Sequence, residues 1–284
     1  MAYEAKILAD SVSPTGVRLT TFEVSFPRIV LAEFNTHRVF SRNSASSRAI
    51  PVEKMLKRVQ EDPFIPIYWG KNQKGMQAEQ ELSDEEQTRA EAEWLDARDS
   101  SVKHAQQILA IGVHKQIANR LLEPFLWHTV IVTGTEWDNW WGLRDNPMAQ
   151  PEIARIAAMM RQIYNDSIPL AIQLDDWHLP LVSDRQELEA AGFSLTDIVK
   201  ISVGRCARVS YLTHDGKRDP KADIELSTRL LEGGHMSPFE HAARPSYAKT
   251  PHFIGNFNGW VQARKLIPNE DNFLNVQRSR DLEL

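Results

Sequence analysis

The first candidate for chemistry is residues 34–48, which read FNTHRVFSRNSASSR and combine one histidine, three arginines and four serines. Arginine presents fixed donors that match phosphate oxygens, and serine hydroxyls add further donors around the same anion. The segment therefore suits an anion-binding loop. A helix end whose basic residues face the negative end of the helix dipole would carry the same residue types, so composition leaves both interpretations open.

Two further segments place arginines among apolar residues. ANRLLEPF puts Arg120 on an otherwise apolar predicted helix, and EWDNWWGLRDNPMAQPEI puts Asn139 and Arg144 beside three tryptophans. An arginine that is even partly desolvated needs a partner. That partner is either a bound anion or a neighbouring carboxylate, for which Asp138 and Asp145 are the nearest choices.

The remaining histidines and the cysteine do not indicate a metal site or a protein nucleophile. In GGHMSPFEHAARP, the spacing of His235, Glu240 and His241 does not match a zinc-binding helix, and no third ligand is evident. Cys206 stands among apolar residues and is predicted to be a packed thiol. An enzyme with this sequence would leave the difficult chemistry to a cofactor.

Composition limits the classes of partner. The chain has 284 residues, of which 25% are charged and 42% apolar, and its net charge of -5 argues against binding a nucleic acid polymer or an anionic membrane. A single cysteine excludes an internal disulfide and favours a reducing compartment. No apolar run approaches the ~20 residues of a membrane span, and the start, MAYEAKILADSVS, does not resemble a secretion signal. We therefore expect a cytoplasmic protein.

The hydrophobic pattern predicts more helix than strand. Residues 16–27 alternate Phe22, Val24 and Phe26 with polar residues, which is typical of a half-buried strand. Pro27 suits the first turn of a following helix, so the cluster in residues 34–48 would lie at the end of that helix and in the loop after it. The predicted fold class is α/β (α+β), a mixed sheet packed with long helices, and further helices are expected at 51–61, 77–111, 113–125, 149–168, 194–212 and 219–234.

Taken together, these segments resemble the flavin-dependent thymidylate synthases. The family motif R-H-R-x-x-S-x-N-E-x-S-x-R is similar to THRVFSRNSASSR, which departs from it at Thr36 and Ser44, where the family has arginine and glutamate. GVHKQIANRLLEPF resembles the segment with the family's phosphate-binding arginine, here Arg120. NWWGLRDNPMAQPEI resembles the run that places Asn139 and Arg144 on functional positions. The motif itself matches at His37, Arg38, Ser41, Asn43, Ser46 and Arg48.

One matching block stands at an unusual place in the chain. Residues 193–245 resemble the beginning of family members, including their histidine-x-serine/threonine-proline-phenylalanine-glutamate-histidine run, yet here they lie near the C-terminus. We therefore predict a circular permutation within a single domain that covers residues 1–284. Permutation is tolerated where chain termini lie close together on a surface. It predicts that His241 lies near His37 and Arg38 in the folded assembly.

The resemblance implies FAD bound between the subunits of a homotetramer, and it implies two sets of contacts. Thr133 and Thr135 stand where the family has asparagine and arginine, and Glu33 replaces a glutamine, which would affect the choice of base. The flavin set is Thr36, His37, Arg38, Val39, Ser44, Thr133, Thr135, Asn139, His241 and Ala243. The nucleotide set is Glu33, Thr36, Ser44, Ala45, Ser46, Ser47, Arg48, Arg120 and Arg144.

The implied reaction is methylation of dUMP to dTMP at carbon 5. The family takes the carbon from 5,10-methylenetetrahydrofolate, the hydride from reduced flavin, and the reducing equivalents from NADPH. Arg144 is the predicted catalytic residue, because a guanidinium against the base stabilises a pyrimidine that has lost its N3 proton. Two alternatives stay open: methylation or hydroxymethylation of another pyrimidine deoxynucleotide monophosphate such as dCMP, and a degenerate relative that binds nucleotide without turnover.

Overall fold

A five-stranded mixed sheet forms the centre of the structure, a computed structural model that describes residues 2–211 and 219–272. The strand order is β3-β4-β2-β1-β5, with antiparallel pairing except between β1 and β5. Two small two-stranded sheets, β6-β9 and β7-β8, lie outside it. The strands are β1 (Glu4–Val12), β2 (Arg18–Pro27), β3 (Ser41–Ser44), β4 (Trp127–Gly134), β5 (Leu170–Ala171), β6 (Ala243–Pro245), β7 (Phe253–Ile254), β8 (Phe257–Asn258) and β9 (Trp260–Gln262).

Helices surround the main sheet, as the fold class predicted from the sequence requires. Short 3₁₀ segments cover Arg28–Val30, Asn119–Phe125, Arg208–Tyr211, Ser237–Glu240 and Ala263–Leu266. The α-helices are α1 (Leu31–Asn35), α2 (Val52–Glu61), α3 (Asp84–Ala110), α4 (Lys115–Ala118), α5 (Asp138–Arg144), α6 (Pro151–Asp166), α7 (Arg185–Ala190), α8 (Leu195–Ala207) and α9 (Pro220–Glu232). The predicted mixed α/β class is thereby confirmed. In the part of the chain with described coordinates, no helix combines the length and apolarity needed to cross a membrane.

The strand predicted at residues 16–27 exists, but the prediction that it is only half-buried is wrong. Phe22, Val24 and Phe26 are fully buried, and Thr21 and Ser25 on the opposite face are buried as well. The apolar face packs on the helices α5 and α6 through a core rich in aromatic side chains. The polar face is covered too, so its hydroxyl groups must find partners inside the protein.

The segment after β2 also differs from the prediction. The helix after Pro27 is only a 3₁₀ turn followed by α1, and it ends at Asn35, before the histidine and arginines. Residues 41–44 then form the edge strand β3, where a loop was expected. Pairing with β4 explains this difference, because Ser41 lies opposite Thr133 and Ser44 opposite Val130.

The C-terminal block packs directly on β3. The Asn43 amide donates to the Cys206 carbonyl over 2.8 Å, and the Ser237 hydroxyl lies 3.2 Å from the Asn43 side-chain oxygen. Within the block, Ser194 caps helix α8 in a capping box with Asp197. The block thus contacts the segment that would follow it in an unpermuted chain. Its residues 212–218, and the terminal residues 273–284, lie outside the described residues.

Candidate active site

Arg144 is held by uncharged acceptors. At the last turn of α5, its Nε donates to His37 Nε2 over 3.0 Å, and its Nη2 donates to the Thr36 hydroxyl over 3.1 Å and to the Glu33 carbonyl over 3.4 Å. Thr36 donates in turn to the same Glu33 carbonyl over 2.6 Å. We call Glu33, Thr36, His37, Asn139 and Arg144 the Arg144 cluster.

The carboxylates considered from the sequence do not neutralise Arg144. Asp145 instead accepts from Arg161 over 2.9 Å, and no ion pair joins Arg144 to Asp138 or Asp145 within the described residues. A guanidinium is practically always charged. Arg144 therefore keeps its full charge for another partner, as an anion-binding residue requires.

His37 is a neutral acceptor with a defined tautomer. Because arginine can only donate, Nε2 accepts from Arg144, and the ring proton of the neutral imidazole is on Nδ1. Burial, with the charges of Arg144 and Arg42, lowers the pKa of His37 to about 4, while a hydrogen bond with Asn139 acts in the opposite direction. The ring packs on Phe40 and Trp140, so its position and its protonation state are both fixed.

The loop after β3 forms one wall of a cleft of about 380 Å³. Ser46 and Arg48 line it from the arginine-serine motif, and His235 and Ser237 line it from the C-terminal block. Ligand pockets commonly have volumes from about 300 Å³ upward. Two segments far apart in sequence therefore share one cleft, and Arg48 is exposed at it.

Arg120 is connected to the same loop through Glu123. The carboxylate oxygen Oε1 of Glu123 accepts from Arg120 over 2.7 Å, from Ser47 over 2.6 Å and from Arg28 over 3.2 Å. The Arg120 side chain is nevertheless 47% exposed. It lies on a 3₁₀ segment, where the sequence had predicted a regular helix.

A buried chain of hydrogen bonds crosses the polar face of the sheet. Ser11 contacts His178 Nδ1 at 2.9 Å, and His178 Nε2 contacts Thr21 at 2.8 Å. Thr21 contacts Thr133, which contacts His241 Nδ1, both at 2.8 Å. The far nitrogen of His241, Nε2, is buried without a partner. Sequence reasoning missed Ser11, Thr21 and His178, and no local pattern marks them, because their contacts join residues far apart in the chain.

The other predicted residues fall into three groups. Thr135 and Ala243 serve the fold: the Thr135 hydroxyl accepts from the Asn258 backbone over 3.0 Å, and Ala243 pairs with the His178 backbone. Arg38 and Val39 are exposed next to His37, where they are free to contact a ligand. Ser44 is half-buried and Ala45 buried at the end of β3 and in the following loop.

His178, His241 and Cys206 are buried as neutral groups. Burial raises the pKa of Cys206 above its ordinary range, which confirms a packed thiol. Burial lowers the pKa values of His178 and His241 to about 3. Among the described residues, no group of three or more histidine, cysteine, aspartate or glutamate side chains is arranged to hold a metal ion.

We predict that His37 makes the protein sensitive to acid. Its folded pKa of about 4 lies below the ordinary 6.5, so between these values the unfolded chain binds a proton that the folded chain does not. The free energy of unfolding should therefore fall as the pH falls through this window. His37→Gln, which keeps an acceptor for Arg144, should reduce that fall in urea unfolding curves recorded from pH 7 to pH 4. The exposed His104→Gln is the control, and equal slopes for both variants and the parent would contradict the prediction.

Known proteins resemble this chain in sequence and in structure. Residues 10–170 match the family model described as thymidylate synthase complementing protein. No curated protein sequence matches the chain significantly. Among solved structures, the chain is similar to a UMP/dUMP methylase, PolB from Streptomyces cacaoi bound with 5-Br UMP, at 15% identity and a TM-score of 0.48, over 60% of this chain and 90% of that chain. Because the family model matches more than half of the sequence, the chain belongs to the thymidylate synthase complementing protein family, the flavin-dependent thymidylate synthases.

Proposed function

We propose that this protein methylates carbon 5 of dUMP to give dTMP, with FAD as cofactor and with 5,10-methylenetetrahydrofolate and NADPH as co-substrates. Family membership supports flavin-dependent methylation of a pyrimidine nucleotide. The observation that carries the finer proposal is the Arg144 guanidinium, which has only uncharged acceptors in the described structure. A positive charge held in this way suits a base that becomes anionic during the reaction.

The residues present fit a flavin. His241 Nε2 is a buried polar atom without a partner, and a buried polar group of this kind is stabilised when a ligand supplies the missing hydrogen bond. When bound, the flavin would supply the hydride-transfer chemistry. The chain's own contribution is to hold it, and we assign that role to Thr36, His37, Arg38, Val39, Ser44, Asn139 and His241, with Thr133 and the neighbouring Thr135 and Ala243 positioning them.

Arg144 is the proposed catalytic residue. Carbon 5 of uracil becomes nucleophilic when N3 loses its proton, and a guanidinium beside the ring stabilises that anion. Arg144 acts through its charge, since arginine does not serve as a base. His37 and Thr36 act as positioning residues, because they fix the direction of the guanidinium without reducing its charge.

The nucleotide phosphate would bind to the other arginines. Ser46 and Arg48 line the cleft of about 380 Å³, and Ser44, Ala45 and Ser47 flank them at the end of β3 and in the same loop. Arg120 contacts this loop through Glu123. Backbone amides, hydroxyls and guanidinium groups together are the donors that phosphate oxygens accept.

Within the described residues, no hydrogen bond or ion pair joins Arg144 to Arg120, Ser47 or Glu123. Arg144 makes its contacts with residues 33–37, whereas Arg120 and Ser47 meet at Glu123. We propose that a complete site combines the Arg144 cluster of one subunit with the Arg120 side of another, in a homotetramer. The exposure of Arg120 and Arg48 supports this arrangement.

The direct test is a product assay. Purified protein with FAD, NADPH and isotope-labelled methylenetetrahydrofolate should convert dUMP to a product with the mass of dTMP. Arg144→Gln should lower kcat roughly 10²–10³-fold, the usual effect of removing one transition-state donor, while the exposed Arg161→Gln should retain activity. Turnover of dCMP alone, or a hydroxymethyl product, would refute the proposal, and binding of nucleotide without turnover would indicate a degenerate relative.

The shared site gives a second prediction. Arg120→Ala and Arg144→Ala should each be nearly inactive alone, yet oligomers made by co-expressing differently tagged copies of the two variants should recover part of the activity, because some sites then contain both arginines. Purification over both tags followed by the product assay measures this. Mixed oligomers that are no more active than either variant would show that both arginines act within one chain.

Glu33 favours a second candidate substrate, dCMP. The carboxylate oxygen Oε2 of Glu33 is buried and accepts no hydrogen bond. The backbone carbonyl of the same residue accepts from Arg144. A carboxylate oxygen of this kind suits the exocyclic amino group of cytosine better than the carbonyl of uracil at the same ring position.

We therefore predict that Glu33→Gln shifts the base preference toward uracil. The ratio of kcat/KM for dUMP to kcat/KM for dCMP should rise roughly tenfold, since one unpaired polar group in a site commonly discriminates by that much or more. The exposed Glu53→Gln on α2 serves as control. An unchanged ratio would mean that Glu33 does not contact the base.

A further inference from the structure

A small cavity outside the Arg144 cluster has an excess of hydrogen-bond donors. Its volume is about 20 Å³, roughly the room for one water molecule or one ion of similar size. Arg28, Arg58 and His128 line it, together with Ser47 and Thr129. Ser47, which lines it, belongs to the loop that also holds Ser46 and Arg48.

The tautomer of His128 follows from its partner. Arg28 Nη1 lies 2.9 Å from His128 Nδ1, and because arginine can only donate, Nδ1 accepts and the ring proton is on Nε2. Burial, together with the charge of Arg28, lowers the pKa of His128 to about 3, so the ring is neutral. His128 is only 3% exposed, and its Nε2 has no hydrogen-bond partner in the described structure.

The guanidinium groups at the cavity are short of acceptors. Arg28 shares the single carboxylate oxygen of Glu123 with Arg120 and Ser47. Arg58 makes no ion pair with any described residue, and burial lowers its pKa. The neighbouring carboxylate of Glu61 lies 3.8 Å from Lys57. Partly desolvated cations without an acidic partner are costly, which favours an external anion.

We propose that this cavity binds one small monovalent anion of about the size of chloride, held by His128 Nε2–H and by the guanidinium groups of Arg58 and Arg28. The anion would complete the charge balance at Arg28 and thereby support the Ser47–Glu123 contact. This inference does not depend on the proposed reaction, because none of Arg28, Arg58 and His128 belongs to the proposed catalytic or nucleotide contacts.

The test is thermal unfolding of the full chain at constant ionic strength, with chloride exchanged stepwise for gluconate, which is too large for the cavity. The melting temperature should rise with chloride by about 2–4 °C and then saturate, as mass action requires for binding to the folded state. Arg58→Gln should abolish the rise, and Arg89→Gln, which removes an exposed arginine on α3, should retain it. A rise of equal size in Arg58→Gln would overturn the proposal.

Crystals grown in sodium bromide give an independent measurement that requires no variant to fold. A bromide anomalous peak in the cavity, within hydrogen-bonding distance of His128 Nε2, is the expected result. An ordered water there, with no anomalous signal, would show that the cavity holds only solvent. A bromide peak without a saturable chloride effect on unfolding would show binding at crystal concentration only, and it would also overturn the proposal.

Discussion

The arrangement of the site depends on a charged guanidinium whose hydrogen-bond partners are all neutral. An arginine beside a carboxylate would have its field largely cancelled, whereas Arg144 donates to an imidazole, a hydroxyl and a backbone carbonyl. The imidazole of His37 can accept only while it is neutral, and burial together with Arg144 and Arg42 keeps it so. The guanidinium and the ring therefore support each other: the arginine selects the tautomer of the histidine, and the histidine directs the arginine.

Strand register aligns Thr133 with its partners on the polar face of the sheet. Thr133 lies opposite both Thr21 and Ser41, because β4 pairs with β2 on one side and β3 on the other. The hydroxyl of Thr133 meets His241 from the C-terminal block, and Ser41 accepts from Gln262 over 2.8 Å. The covered polar face of the sheet thus contacts a segment that is distant in sequence. A permuted chain that keeps the family fold would need such a contact.

Sequence reasoning succeeded where local signals decide the structure. The helices expected at 149–168 and 194–212 are present as α6, with Pro151 in its first turn, and α8, capped by Ser194. Strand β3 was missed because its four residues, SRNS, are all polar, and only pairing with β4 makes them a strand. His178 was missed because its contacts are distant in sequence. Its partners, Ser11 and Thr21, lie more than 150 positions away in the chain, and no periodicity records such a contact.

Arg144 and Arg120 are held by different parts of the chain. Arg144 is fixed by α5 and residues 33–37, whereas Arg120 is fixed by a 3₁₀ segment that contacts the loop after β3. The β3–β4 pairing holds the strand that precedes this loop, and Asn43 of β3 also contacts the C-terminal block. Under the proposed function, a nucleotide that contacts both arginines would take one of them from another subunit. Oligomer formation would then be part of the proposed chemistry, because each site would combine the charge for the base from one chain with the phosphate donors of another.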